Sequence, residues 1–505
     1  MPRPRPLGSF SRFGLAGNPR ACGLLEPGGT CNHSGALNPR GARNLSGAPV
    51  APRLHAMRLT EDLARFVADL RFEDLPSGAL PFIRIGFTDT FATWVAGRHS
   101  QEARLLRAAL EPAPGACRLL VDQGTASAPD AACINATAAH ALDYDDAAQR
   151  GHISVVVVPA LLAEAQVLGA SGRQMVASYA AGYETWAELM RREPDHYHNH
   201  SWHPTGVFGS LAAAAACASL RGLGAAQTCH ALAIAASQSA GLIANFGTMT
   251  KPYHAGRAAQ AGVMAARLAQ GGYTGTPDAL EHPKGLMAGL SPAGRVDLAS
   301  PVQAGRDWKL PVGGVNVKKY PSCFAAHRSI DGMLGLIQDT DLTPEQVEKV
   351  EVTISRRNRS TLRYAQPQTV PEAKFSVQFA MAAALIARGC GLMELREEFV
   401  LRADVQALMR RVEVLPEDRE DATRPGEAPE DIVTVHTRDG RALTCSVDYV
   451  RGGPERPLAT GELRTKFNDC LAHGGLQAAP GPLFDALMSI DTLPGTDTLY
   501  ALAAS

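Results

Sequence analysis

The chain has 505 residues, 49 Lys and Arg against 50 Asp and Glu, and a formal net charge of −1. Hydrophobic residues make up 45% and charged residues 20%, which excludes a chain disordered throughout. The near-neutral charge gives no general attraction to nucleic acid or anionic membrane, and no stretch offers the roughly 18 consecutive apolar residues of a spanning helix.

Residues 1–56 differ from the rest. They hold seven Arg, no Lys and one acid, Glu26, for a charge of +6, which leaves −7 for 57–505. Eight Pro and nine Gly interrupt any apolar periodicity there. Arg enrichment without acids fits a transit peptide, but Pro2, Pro4 and Pro6 would break the amphipathic helix of one. The segment is expected to be a disordered tail, or an extension ahead of a true start at Met57.

From Met57 the text becomes helical. Leu59, Leu63, Phe66, Val67 and Leu70 recur at helical spacing, and Ala-rich runs follow at 131–141, 209–220, 231–244 and 255–269. This reading extends to about Val312, with Gly and Pro clusters between helices. Beyond it, Val350, Val352 and Ile354 alternate with polar residues, as do Val412 and Val414. Residues 432–449 read as a hairpin turning at Asp439-Gly440, and 375–388 as a helix. Residues 461–472 and 481–490 return to helix. The expected architecture is mainly α with an α+β lid. A helical domain at 57–313 and 454–505, built from both ends of the chain, would carry a smaller α+β domain at 314–453.

The ten cysteines form no CxxC pair and sit mostly in apolar surroundings. Free thiols in a reducing cytoplasm are expected, without an iron–sulfur cluster. Motifs for phosphate loops, serine hydrolases and zinc peptidases (GxxxxGK[ST], GxSxG, HExxH) are absent.

Four polar clusters interrupt the Ala-rich background. AAHALDYDDAAQRGHIS carries His140, Asp143, Asp145, Asp146 and His152; on a helix, His140, Asp143 and Asp146 would share a face. DHYHNHSWHPTG carries His196, His198, His200 and His203, and a single functional His is favoured there over a metal. In GTMTKPYHAGRAAQ, Lys251 precedes Pro252 at an expected helix start, where backbone N–H groups suit a carboxylate. In NVKKYPSCFAAHRSID, Lys318 and Lys319 stand at the expected domain junction, where clefts form.

In order and spacing, AAHALDYDD…GHIS, HPTGVFG, GTMTKPYHAGRAAQ, KKYPSCFAAHRSID and KFSVQFA resemble the MmgE/PrpD family. That family includes 2-methylcitrate dehydratases, cis-aconitate decarboxylases and iminodisuccinate epimerases. The resemblance covers 57–505 and implies a homodimer with a cleft between helical domain and lid. It implies an active-site set of Asp143, His152, His203, Lys251 and Lys318, with Tyr320, Cys323 and His254 beside the substrate. Family members that decarboxylate cis-aconitate have Thr where this chain has Ala147 and His where it has Cys323, which argues against itaconate production.

The resemblance therefore implies a cytoplasmic hydro-lyase, free of metal and cofactor, acting on a small di- or tricarboxylate such as 2-methylcitrate. Epimerisation or decarboxylation at the same site are the alternatives. Lys251 and Lys318 would hold carboxylates and stabilise charge built up by proton removal. His152 or His203 would serve as base and acid, with Asp143 orienting one imidazole.

Overall fold

Alanine and glycine set how closely the helices approach. The computed structural model describes residues 58–504 apart from 423, 425 and 478, so the reading of 1–56 as a tail lies outside the described residues. The helices that build the site are α1 (Leu59–Asp69), α2 (Ala79–Gly97), α3 (Ala128–His140), α4 (Ser154–Leu168), α5 (Gly172–Arg191), α6 (Pro204–Leu220) and α7 (Thr250–Gln270). α7 packs against α3 and α6. A Cβ on Gly256 of α7 would collide with Thr137 Oγ1 of α3, and one on Gly262 with Ala213 of α6. Only hydrogen fits at these crossings, and the close approach fixes where the N-terminus of α7 points.

The helical reading is too broad over 271–309. Apart from a short helix at Leu286–Leu290, that stretch runs as turns and loops, because its Gly and Pro residues break regular structure.

The chain then builds α8 (His327–Thr340), β1 (Val347–Ser355), α9 (Arg356–Thr361), α10 (Val377–Ala387), β2 (Val412–Glu417), β3 (Asp431–Thr437) and β4 (Ala442–Val447). The strands form one sheet in the order β2-β1-β3-β4. β1 and β2 are parallel, with Val350 opposite Val412, and the other pairs are antiparallel. The hairpin turns at Asp439 and Gly440, the glycine supplying the positive φ of 87°. Along β3, Val433 and Val435 face inward while Ile432, Thr434 and His436 are half-buried, the period-2 pattern of a strand with one covered face.

Buried apolar side chains fall into two clusters. One runs from Leu59 to Val317 and is completed by Leu392 and by Leu463, Phe467, Phe484, Leu487 and Tyr500 from the end of the chain. The other runs from Tyr320 to Val435. The last part of the chain, α11 (Thr460–His473), packs on α2 and so returns to the first cluster. Each buried Leu or Phe contributes about 1.5–3 kcal/mol, enough for the terminal helices to hold to the first core. Among the described residues no helix is long and apolar enough to cross a membrane.

Candidate active site

A cavity of about 480 Å³ opens between residues of the two clusters. Asp143, His152, His203, Lys251, Lys318 and Cys323 all line it.

α3 stops at His140, and Asp143 adopts a left-handed backbone with φ 51°, so His140, Asp143 and Asp146 do not share a helix face as the spacing suggests. Asp tolerates this conformation better than most residues, and the turn redirects its carboxylate. Two lysines meet there. Lys318 pairs with Asp143 Oδ1 and donates to the Asp143 carbonyl at 2.8 Å, while Lys251 Nζ lies 2.8 Å from Asp143 Oδ2. Burial by itself pushes the Asp143 carboxyl up; the two ammonium groups outweigh it and hold the acid well below the usual carboxylate range. Burial likewise pushes Lys318 down, and Asp143 with Asp145 more than offsets it, so the ammonium is retained. Lys251 stands in the first turn of α7, with Phe246 and Phe375 ring centroids 5.3 and 5.1 Å from its Nζ.

Asp145, not Asp143, makes the hydrogen bond that orients an imidazole. Its Oδ1 pairs with His140 Nδ1 at 2.8 Å, and its Oδ2 lies at ion-pair distance, 2.9 Å, from His152 Nδ1. His152 Nδ1 also lies 3.0 Å from the Asp146 carbonyl. Two acceptors around Nδ1 place the ring proton there, so neutral His152 presents a lone pair at Nε2, 3.9 Å from Asp143 Oδ1. Asp143 Oδ1 lies 3.9 Å from His152 Nε2, beyond hydrogen-bond distance, and both its oxygens face lysines. His140 lies behind this pair, with its pKa pushed down to about 3 by burial.

His203 is the residue before α6 and its Nδ1 sits 3.1 Å from His254 Nδ1, so one of these nitrogens carries the shared proton. Burial and then Lys251 hold His203 well below the ordinary imidazole range, which keeps it neutral. His254, pushed down to about 4 mainly by burial, stands behind His203 and does not line the cavity. Tyr320 does not line it either; its hydroxyl turns to Asp331 Oδ1 at 2.7 Å. Neither side chain is among those that line this cavity. The Cys323 thiol faces the cavity and is pushed up by burial, then by Asp143, which keeps it protonated. The Lys318-Lys319 pair divides: Lys318 is fully buried, whereas Lys319 is half-exposed, with its Nζ 4.0 Å from Asp331.

Two lysines escaped the sequence reading. Lys374 is buried, donates to the Ala141 carbonyl, and is pushed down by burial. It stands in KFSVQFA, where one cation ahead of an apolar run was the available signal. Lys466 bridges Asp89 Oδ1 at 2.6 Å and the Tyr144 carbonyl at 2.7 Å beneath the same loop. Nothing in its own helix marks it out.

His140, Asp143, Asp145 and His152 offer atoms within 4.8 Å of one another, a spacing that suits a metal ion. Those atoms are already engaged within the protein, Asp143 by two lysines and Asp145 by two imidazoles. In the His196–His203 segment, His196, His198 and His203 line the cavity while His200 is exposed.

A helical body carrying a small mixed sheet, with a lysine-clamped aspartate in the cleft, defines a class of fold and site. The sequence of 61–299 matches the MmgE/PrpD N-terminal domain and that of 320–479 the MmgE/PrpD C-terminal domain, and the chain belongs to the MmgE/PrpD family. It is similar to human cis-aconitate decarboxylase, 29% identical over 352 residues that cover 67% of this chain and 71% of the relative. It is also similar to cis-aconitate decarboxylase of Aspergillus terreus, 25% identical over 474 residues, covering 88% and 95%. These relatives support an enzyme of the lyase type.

Proposed function

We propose that this protein is a hydro-lyase acting on a small di- or tricarboxylate such as 2-methylcitrate, by removal of a proton next to a carboxylate. The observation that carries the reading is the pairing of a lysine-clamped Asp143 with an imidazole whose Nδ1 is fixed by Asp145. Lys251 and Lys318 each have three N–H donors, so both retain capacity for a substrate carboxylate while holding Asp143. They oppose the negative charge that builds when the neighbouring carbon loses its proton.

His152 takes that proton at Nε2, and the Asp145 carboxylate stabilises the positive ring that results. His203, kept neutral beside Lys251, serves as a hydrogen-bond donor to the departing hydroxyl, as neutral imidazoles do elsewhere. The hydroxyl leaves as water with a proton from the lysine cluster, and the proton on His152 restores the cluster. The substrate-contacting set is Asp143, His152, His203, Lys251, Lys318 and Cys323. The domain limits 57–313, 314–453 and 454–505, the homodimer and the cytoplasmic location belong to the same proposal.

A second reading is decarboxylation of cis-aconitate, supported by the names of the relatives. It needs a proton delivered to carbon as CO₂ departs; His152 supplies it from Nε2 when it enters the reaction as imidazolium, the Asp145 carboxylate offsetting the ring charge, and leaves as the neutral ring. Proton NMR of reactions with 2-methylcitrate, citrate and cis-aconitate separates the readings. A new alkene signal from 2-methylcitrate is expected. Itaconate from cis-aconitate would establish the second reading instead, and no change with any of the three would remove both.

A further inference from the structure

Lysine is scarce in this chain. There are eight among the 49 Lys and Arg, and four of the eight are buried: Lys251, Lys318, Lys374 and Lys466. The other four are exposed or partly buried. All four buried lysines reach the loop that follows α3. Lys251 and Lys318 hold the Asp143 carboxylate. Lys374 donates to the Ala141 carbonyl, Lys318 to that of Asp143 at 2.8 Å, and Lys466 to that of Tyr144 at 2.7 Å. These contacts span 233, 175 and 322 positions of sequence, so three distant parts of the chain meet on four consecutive residues.

The backbone explains why outside donors are needed. Ala141 is the C-cap of α3, where the last carbonyls lack intrahelical partners. Asp143 then turns left-handed, and the helical ladder ends. In a continuing helix the N–H groups of Ala147 and Ala148 would serve the carbonyls of Asp143 and Tyr144. Here they donate instead to Asn316 at 2.9 Å and Gly151 at 2.8 Å. Ala141, Asp143 and Tyr144 are buried, and a buried carbonyl left without a donor is costly.

An ammonium group suits this task. It is a compact charge with three donors on a flexible stem, whereas a guanidinium is a larger planar fork. Lys466 uses several contacts at once: the Tyr144 carbonyl, the Tyr144 ring at 4.1 Å, and Asp89 Oδ1 of α2 at 2.6 Å. Neither Lys374 nor Lys466 lines the cavity. The pinned loop nevertheless carries the chemistry, since Asp143 lies between the carbonyls of 141 and 144, and Asp145, which faces His140 and His152, follows directly.

We infer that Lys374 and Lys466 are positioning residues of the active site. They pin the backbone on either side of Asp143, so that Asp143 meets Lys251 and Lys318 while Asp145 meets His152. The inference rests on the hydro-lyase reading for the roles of Asp143 and His152.

The test compares the full chain with its Lys374→Met and Lys466→Met variants, with 2-methylcitrate as substrate, at a temperature where thermal melts show each protein folded. Each variant is expected to lose about a hundredfold in kcat with KM changed much less, the effect of misplacing reacting groups by about 1 Å. Lys374→Gln and Lys466→Gln keep an N–H donor on a stem one bond shorter, and are expected to lose about tenfold. They carry the test if the Met variants do not fold. In an Asp145→Asn background, Lys466→Met should cost less than about tenfold more, because both changes act through one imidazole. Parental kcat in the folded variants overturns the inference, and so does a full hundredfold loss in both backgrounds. If the parent turns over no hydroxy-acid, the hydro-lyase reading falls, and crystal structures of the variants decide the positioning role alone. Asp143 and Asp145 carboxylates displaced by about 1 Å uphold it, and carboxylates left in place overturn it.

Discussion

Lys318 reaches Asp143 across 175 positions of sequence, donating to its carbonyl at 2.8 Å and pairing with its carboxylate. Because both groups are buried, each needs the other, and the contact ties the start of the α+β part to the loop after α3. Replacing Lys318 by Met leaves Asp143 with Lys251 alone and an unmet carbonyl. A loss of about 3 kcal/mol in stability and at least about a hundredfold in kcat is expected. Thermal melts and steady-state rates check this, and a variant with parental rates would remove Lys318 from the catalytic set.

Asp145→Asn tests the source of imidazole orientation. The amide can present N–H toward His152 Nδ1, which favours the wrong tautomer. A drop of about 10²–10⁴ in kcat with KM little changed is expected, by the same logic as a catalytic aspartate behind a histidine. The pH profile of kcat should shift as well. A merely structural Asp145 would lower the amount of folded enzyme and leave that profile where it was.

Gly256→Ala places a methyl group against Thr137 Oγ1 and the Cys133 carbonyl. The crossing of α7 and α3 must widen, at a cost of about 1–3 kcal/mol. Since α7 carries Lys251 at its N-terminus, activity should fall further than stability alone explains. Equal rates at a temperature where both proteins are folded would show that the crossing does not position Lys251.

His327 is buried between Tyr320 and Phe324 with a pKa of about 3, the main cause being burial. A folded-state pKa below the unfolded value means that the unfolded chain binds the extra proton first, so His327 lowers stability as pH falls below about 6.5. By pH 5 this amounts to about 2 kcal/mol. His327→Phe should therefore gain about that much on the parent between pH 7.5 and pH 5, read from urea midpoints. A constant difference across this range would show that His327 titrates normally.

Ala147 and Cys323 line the cavity, at the two positions where the resemblance implies Thr and His in members that decarboxylate cis-aconitate. Ala147→Thr with Cys323→His is expected to raise itaconate formation from cis-aconitate relative to the parent. If the double variant forms no more itaconate than the parent, these two positions do not set the choice of reaction.

Periodicity and composition determined the kinds of element in this chain. The Ala-rich runs, the alternation at Val350–Ile354 and the Asp439-Gly440 turn are local patterns, and each element follows from contacts within a few residues. The chemistry-bearing residue types were also legible, since His, Asp and Lys stand out in an apolar background. What the tertiary structure alone decided is which of them face one another. Asp143 and Asp145 are two residues apart and chemically identical, yet one is clamped by lysines from α7 and from residue 318 while the other holds two imidazoles. Tyr320 and His254 sit in the same motifs as Lys318 and Lys251 but turn away from the cavity. The reason is that burial and pairing depend on how elements pack in space, as with Lys318 and Asp143, 175 positions apart, and even between near neighbours on the direction in which a turn aims each side chain.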